Sequence, residues 1–138
     1  MVLKRFGVSL EEELLEDFDE LIRQKGYTNR SEAIRDLIRN TLVKKEWLEG
    51  DAETAGVAVI VYDHHRHELS KKLTDTQHKD YGKITASLHI HLDSDNCLEV
   101  IILRGKAKEI QRVADSLIST RGVKHGRFIG TTTGRDFV

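Results

Sequence analysis

Two histidines, His89 and His91, and the chain's single cysteine, Cys97, fall within nine residues in the stretch "SLHIHLDSDNCLEV", residues 87–100. Imidazole nitrogens are borderline ligands and a thiolate is a soft one, so this trio suits nickel, copper or zinc and suits magnesium or calcium badly. Three ligands leave a fourth position open. In "KITASLHIHL", Ile84, Ala86, Leu88, Ile90 and Leu92 fall on one face of a predicted strand, and His89 and His91 share the other with Thr85 and Ser87. Both imidazoles then leave the strand in the same direction, roughly 6.5 to 7 Å apart at the backbone. "DSDN" reads as a hairpin turn. An odd number of loop residues would bring Cys97 onto the histidine face, and an even number would put it opposite. The plainer reading is a solvated face with two histidines beside a small buried cysteine, but a thiol just across the turn tips the balance toward a metal.

Candidates for the fourth position are His64, His65, His67, His78 and His125. Residues 65–81 read as a rather polar helix whose buried line runs through Leu69 and Leu73, and at 100° per residue His78 points about 160° from the middle of that line. It would face a neighbouring subunit or solvent. The histidines of "YDHHRH", residues 62–67, lie where strand becomes helix and read as loop residues able to make secondary metal contacts. His125 reads as structural or exposed. No Gly-rich phosphate loop and no serine, histidine and acid grouping occurs, so catalysis is disfavoured.

The elements around these residues are well marked. "KRFGVSL", residues 4–10, alternates, with Phe6, Val8 and Leu10 on one face and Arg5, Gly7 and Ser9 on the other. Ser9 and Glu12 have capping-box spacing, and Leu14, Leu15, Phe18, Leu21 and Ile22 then follow a helical stripe until Gly26. A second helix starts at Asn29 as N-cap, with Glu32 at the reciprocal position and a stripe through Ala33, Ile34, Leu37, Ile38 and Leu42. This strand, helix, helix module spans 1–48. A lone strand needs a partner, and a second copy of the chain is the obvious one.

Acids and glycines gather at 46–56, which reads as the domain boundary. Beyond it, a region spanning 54–138 has the order β-α-β-β-α-β, the ferredoxin-like split arrangement, so the predicted class is α+β. "VAVIVYDH" is its first strand, "KITASLHIHL" and "CLEVIILRG" the middle pair, and "KHGRFIGTT" the last. A helix from Lys106 to Thr120 carries Ile110, Val113, Ala114, Leu117 and Ile118.

Over 138 residues, 22 basic side chains face 23 acidic ones, so bulk charge points to neither a nucleic acid nor a membrane. Any such partner must be read from local pattern. No run has signal-peptide or membrane-spanning character, and one cysteine cannot form an internal disulfide, so a cytoplasmic protein is expected. Two paired strands of the type at 4–10 have the size and polarity to enter a DNA major groove, presenting Arg5 and Ser9. Asn29 and Arg30, at the start of the second helix, could hold a phosphate.

The N-terminal ribbon, "NRSEAIRD", "TQH", "LHIHLDSDNCLEV" and "RGVKHG" together resemble the nickel-responsive transcriptional regulators of the NikR family over almost the whole chain. The resemblance implies a ribbon-helix-helix DNA-binding domain followed by an ACT-like regulatory domain. It further implies a homotetramer, a dimer of dimers, that binds operator double-stranded DNA and represses nickel-uptake genes. One Ni(II) per subunit would be held in a square-planar site by His89, His91 and Cys97 of one chain and His78 of another. The sequence departs from the family at Gly7, where a polar outward side chain is usual. Glu32 and Asp36, one turn apart, could bind a second cation or contact the regulatory domain; an exposed acidic pair is equally consistent. Two rival readings are an amino-acid-responsive regulator of similar fold and a zinc-dependent enzyme.

Overall fold

Helical periodicity in the N-terminal region produces two helices, seen in a computed structural model describing residues 1–138. Helix α1 (Glu12–Gln24) buries Ile22, carries Glu12 and Glu13 in its first turn, where the helix dipole favours them, and ends on Gly26 at φ +86°. The closing bonds run from Gly26 N–H to the Arg23 carbonyl and from Tyr27 N–H to the Ile22 carbonyl. Its N-cap is Glu11 with no side-chain cap, so the expected capping box of Ser9 and Glu12 does not form. Ser9 lies two residues outside the cap and cannot serve the first turn.

Helix α2 (Arg30–Glu49) does begin as expected: Asn29 Oδ1 accepts the Glu32 N–H at 2.9 Å. Glu32 itself pairs with Arg35 rather than reaching back. The helix runs on through residues 46–49, where the composition suggested a linker. Residues 1–11 form no strand, and Phe6 and Val8 are 71% and 63% exposed. The alternation at 4–10 is real in the sequence, but a single chain offers no second strand to complete a backbone ladder.

The chain divides into two compact units, Met1–Thr41 and Leu42–Val138. The second contains β1 (Glu53–Asp63), α3 (His67–Lys79), β2 (Ile84–His91), β3 (Asn96–Lys106), α4 (Ala107–Ile118) and β4 (Val123–Gly130). The sheet order is β2-β3-β1-β4, and every pairing is antiparallel. This is the β-α-β-β-α-β arrangement read from the sequence, with both helices over one face.

Alternation in β1 and β3 builds the core beneath those helices. Ala58, Ile60, Tyr62, Cys97, Ile101 and Leu103 are buried against Leu69 and Leu73 of α3 and Ile110, Val113, Ala114 and Leu117 of α4. The open face is apolar too. Leu88, Ile102 and Ile129 remain 58%, 43% and 64% exposed there, which leaves a large apolar surface on the single chain. In β2 the expected alternation breaks once: a register shift between Ile84 and Ala86 returns Ile84 to the core side, opposite Leu103. Ile84 therefore does not share a face with Leu88 and Ile90.

Candidate metal centre

Cross-strand register decides what the sequence left open. His91 pairs with Cys97 and His89 with Glu99, so the loop 92–96 holds five residues, an odd number, and the thiol joins the histidine face. Directly paired residues project to the same side of a sheet. The turn that sets this register is held by Asp93, whose carboxylate accepts the N–H groups of Asp95 and Asn96 at 2.8 and 2.7 Å. These bonds keep its pKa low, at about 2. The shared face is the helix-covered one, but β2 lies at the sheet edge, so His89 and His91 stay exposed while Cys97 is fully buried. The two imidazole centroids are 5.4 Å apart.

Cys97 Sγ donates to the Tyr62 carbonyl at 3.4 Å, and burial raises its pKa, helped by the negative charges of Glu99 and Asp63. The thiol therefore keeps its proton near neutrality, and a metal ion taking it as ligand would have to displace that proton. Beside it, Glu99 is a nearly buried carboxylate with both oxygens engaged: Tyr62 Oη donates to one at 3.2 Å and Gln77 Nε2 to the other at 3.0 Å. Burial and the Glu99 charge push the Tyr62 phenol upward. Tyr62 also lies edge-on to His89, with centroids 5.9 Å apart. One carboxylate thus ties α3, through the residue next to His78, to β3, which carries Cys97, and to β1.

Tyr62, Gln77 and Glu99 were missed in the sequence. Glu99 was detectable, since it is a charged residue at an inward position of the apolar strand "CLEVIIL". A buried carboxylate requires partners. Its partners, from β1 and α3, were not legible without the topology.

His78 is exposed on α3, whose buried residues are Leu69 and Leu73 as the helical arithmetic required. No group of three or more potential ligands is already gathered around one point. The structure puts His89, His91 and Cys97 on one face of the sheet, and His78 is exposed on α3. The donor chemistry of those three, two imidazoles and a thiol, fits a borderline divalent ion such as nickel. His64 packs edge-on against His91, with centroids 4.8 Å apart, and its Nδ1 is buried without a partner. Of the DNA candidates, Arg5 and Ser9 are exposed in the N-terminal segment. Asn29 is occupied as the α2 cap, and Arg30 makes two bonds of 2.8 Å to Asp19. Asp36 accepts a 2.5 Å bond from Tyr27 Oη and pairs with Arg39.

Two family profiles cover most of the chain. Residues 4–45 match "Ribbon-helix-helix protein, copG family" and residues 55–131 match "NikR C terminal nickel binding domain". These matches make the chain a ribbon-helix-helix transcriptional regulator with an α+β nickel-binding domain, a family of regulators and not of enzymes. A relative from Geobacter sulfurreducens, provisionally named a nickel-responsive regulator, is 58% identical over 132 residues, covering 96% of this chain and 95% of its own. One from Pyrococcus furiosus with the same provisional name is 54% identical over 138 residues, the full length of both. The chain belongs to the NikR family. Its fold is also similar to that of an uncharacterised protein of Thermotoga maritima, with a TM-score of 0.51 at 12% identity, over 57% of this chain and 98% of the other. No helix is long and apolar enough to cross a membrane.

Proposed function

We propose that this chain is a cytoplasmic Ni(II) sensor that binds operator DNA when loaded and represses genes for nickel uptake. The reading rests first on the register that aligns Cys97 with His91 and puts His89 on the same face. Those three residues, with His78 of the partner subunit, hold one Ni(II) per subunit. The bound ion supplies a charge centre that favours the thiolate and neutral imidazoles over their protonated forms. The exposure of His78, and its helical position away from Leu69 and Leu73, support donation between chains.

Assembly as a homotetramer of two DNA-binding dimers is supported by the apolar surface that one chain leaves uncovered. Residues 1–48 would dimerise through the ribbon, covering Phe6 and Val8, and residues 54–138 through the open sheet face around Leu88, Ile102 and Ile129. Arg5 and Ser9 are assigned to the bases or phosphates of the groove. Asn29 and Arg30 are assigned to a phosphate at the α2 start. Arg30 would exchange Asp19 for that phosphate, an exchange made easy by the exposure of the ion pair. Loaded and unloaded proteins must differ in DNA affinity by what nickel binding differs between their conformations.

Titrating Ni(II) into wild type and Cys97→Ser tests the site. Wild type should develop thiolate-to-metal absorption that saturates at one equivalent per subunit. The same spectrum and affinity in Cys97→Ser would overturn the assignment.

A further inference from the structure

Next to the proposed ligands lies a second histidine arrangement with a different job. The connection between β1 and α3 runs through His64 and His65, and it lies against the β2–β3 turn that precedes Cys97. Two contacts cross between them: the His64 N–H donates to the Asp95 carbonyl at 3.0 Å, and His65 Nε2 meets the Ser94 carbonyl at 2.8 Å. A carbonyl can only accept, so Nε2 of His65 carries the proton, and that nitrogen is unavailable to a metal. The His65 N–H in turn donates to Asp63 Oδ1 at 2.9 Å, fixing the residue from the β1 side. Asp95 Oδ1 is a further 3.4 Å neighbour of the same ring.

On its other side the turn is held by Lys124 of β4, whose Nζ donates to Asn96 Oδ1 at 2.5 Å. Inside it, Asp93 already accepts two backbone N–H groups. His65 thus reaches from the segment leading into α3, which starts at His67, to this turn, meeting the Ser94 carbonyl and the Asp95 carboxylate. Cys97 follows the turn directly, and His78 rides on α3.

We propose that His65 is a positioning residue for the metal centre: it straps the start of α3 to the turn that delivers Cys97, so that two ligand-bearing segments hold one arrangement. The proposal rests on the nickel reading of Cys97 and His78, and it assigns His65 no ligand role. Pre-ordering ligands lowers the entropy lost on binding, and one hydrogen bond of ordinary strength changes an affinity roughly threefold to tenfold.

The test compares full-length wild type, His65→Ala and His65→Gln, each checked for unchanged circular dichroism. The glutamine amide can donate from about the position of Nε2. Hydrogen exchange at the Asn96 and Cys97 amides is read before metal is added, and Ni(II) affinity is then read from the thiolate absorption. His65→Ala should exchange faster at both amides and bind Ni(II) about threefold to tenfold more weakly, and His65→Gln should recover both properties. Wild-type exchange and affinity in His65→Ala, or a folded His65→Gln that behaves like the alanine variant, would overturn the proposal. A wild type that gives no thiolate absorption with Ni(II) defeats the nickel reading instead, while the exchange arm still decides whether His65 straps the turn.

Discussion

His91 and Cys97 stand opposite one another across the β2–β3 hairpin, the imidazole exposed and the thiol fully buried. One side of the candidate centre is therefore open to solvent and the other is sealed beneath the helices. An ion could reach the histidines directly, whereas to bind Cys97 it would have to strip a proton from a thiol whose pKa burial has raised.

A pH dependence of fixed sign follows. Below its raised pKa the thiol holds its proton, so each unit of rising pH should tighten Ni(II) binding by up to about tenfold per proton displaced. Acidification should weaken it, because the proton held by the thiol competes with the ion. Calorimetry in buffers of different ionisation heat should show proton release on nickel binding near neutrality. Binding with no proton release and no pH dependence would mean that Cys97 stays a thiol and is only a core residue.

Asp93 should report on acid stability through the turn. Its folded-state pKa of about 2 lies below the ordinary 3.8. The stabilisation is complete above the ordinary value and is lost as pH falls through the folded one. Urea unfolding midpoints of wild type should drop across that interval more than those of Asp93→Asn, which has no charge to lose. Parallel curves for the two proteins would mean the turn bonds contribute nothing to folding.

Arg5 and Ser9 should carry DNA contacts from the paired ribbon. Replacing Arg5 by alanine should weaken specific binding by about 1 to 3 kcal/mol if it reads a base, and weaken all sequences alike if it meets phosphate. Unaltered binding by a folded Arg5→Ala, Ser9→Ala double variant would remove both residues from the interface. Gly7 offers no side chain, so restoring a polar residue there, where nothing lies within 4 Å of an added Cβ, should not disturb the single chain's fold.

Sharing of the site between chains is testable by mixing. His78→Ala and His89→Ala proteins each lack one proposed ligand, yet if the site is shared a mixed assembly can form one complete site from the intact halves. After verified subunit exchange, the tight thiolate-absorbing site should return in the mixture. Its failure to return would place His78 within its own chain's site or outside the site altogether.

Much of this was legible in the sequence because periodicity carries it. The 3.6-residue stripes of Leu69 and Leu73, and of Ile110, Val113 and Leu117, mark α3 and α4, and both buried faces follow. The ligand trio was visible as residue types at close spacing. Side of the sheet was not, because it turns on one loop residue more or fewer, and the bulge near Thr85 had no glycine or proline to announce it. The failed capping box at Ser9 shows the same limit, since residue spacing alone does not fix where a helix begins. The strap at His65 was illegible for another reason: its partner Ser94 is used through a backbone carbonyl, which every residue possesses.

Nickel-dependent DNA binding is the property on which the reading turns. Duplexes selected by wild-type protein from a random-sequence pool in the presence of Ni(II) can be fluorescently labelled and titrated with protein, with and without the metal. Fluorescence anisotropy should show affinity roughly five- to 150-fold higher with Ni(II), the range of ordinary coupling free energies, and no such gain for Cys97→Ser. Equal affinity with and without nickel, in a wild type shown to bind the ion, would contradict it.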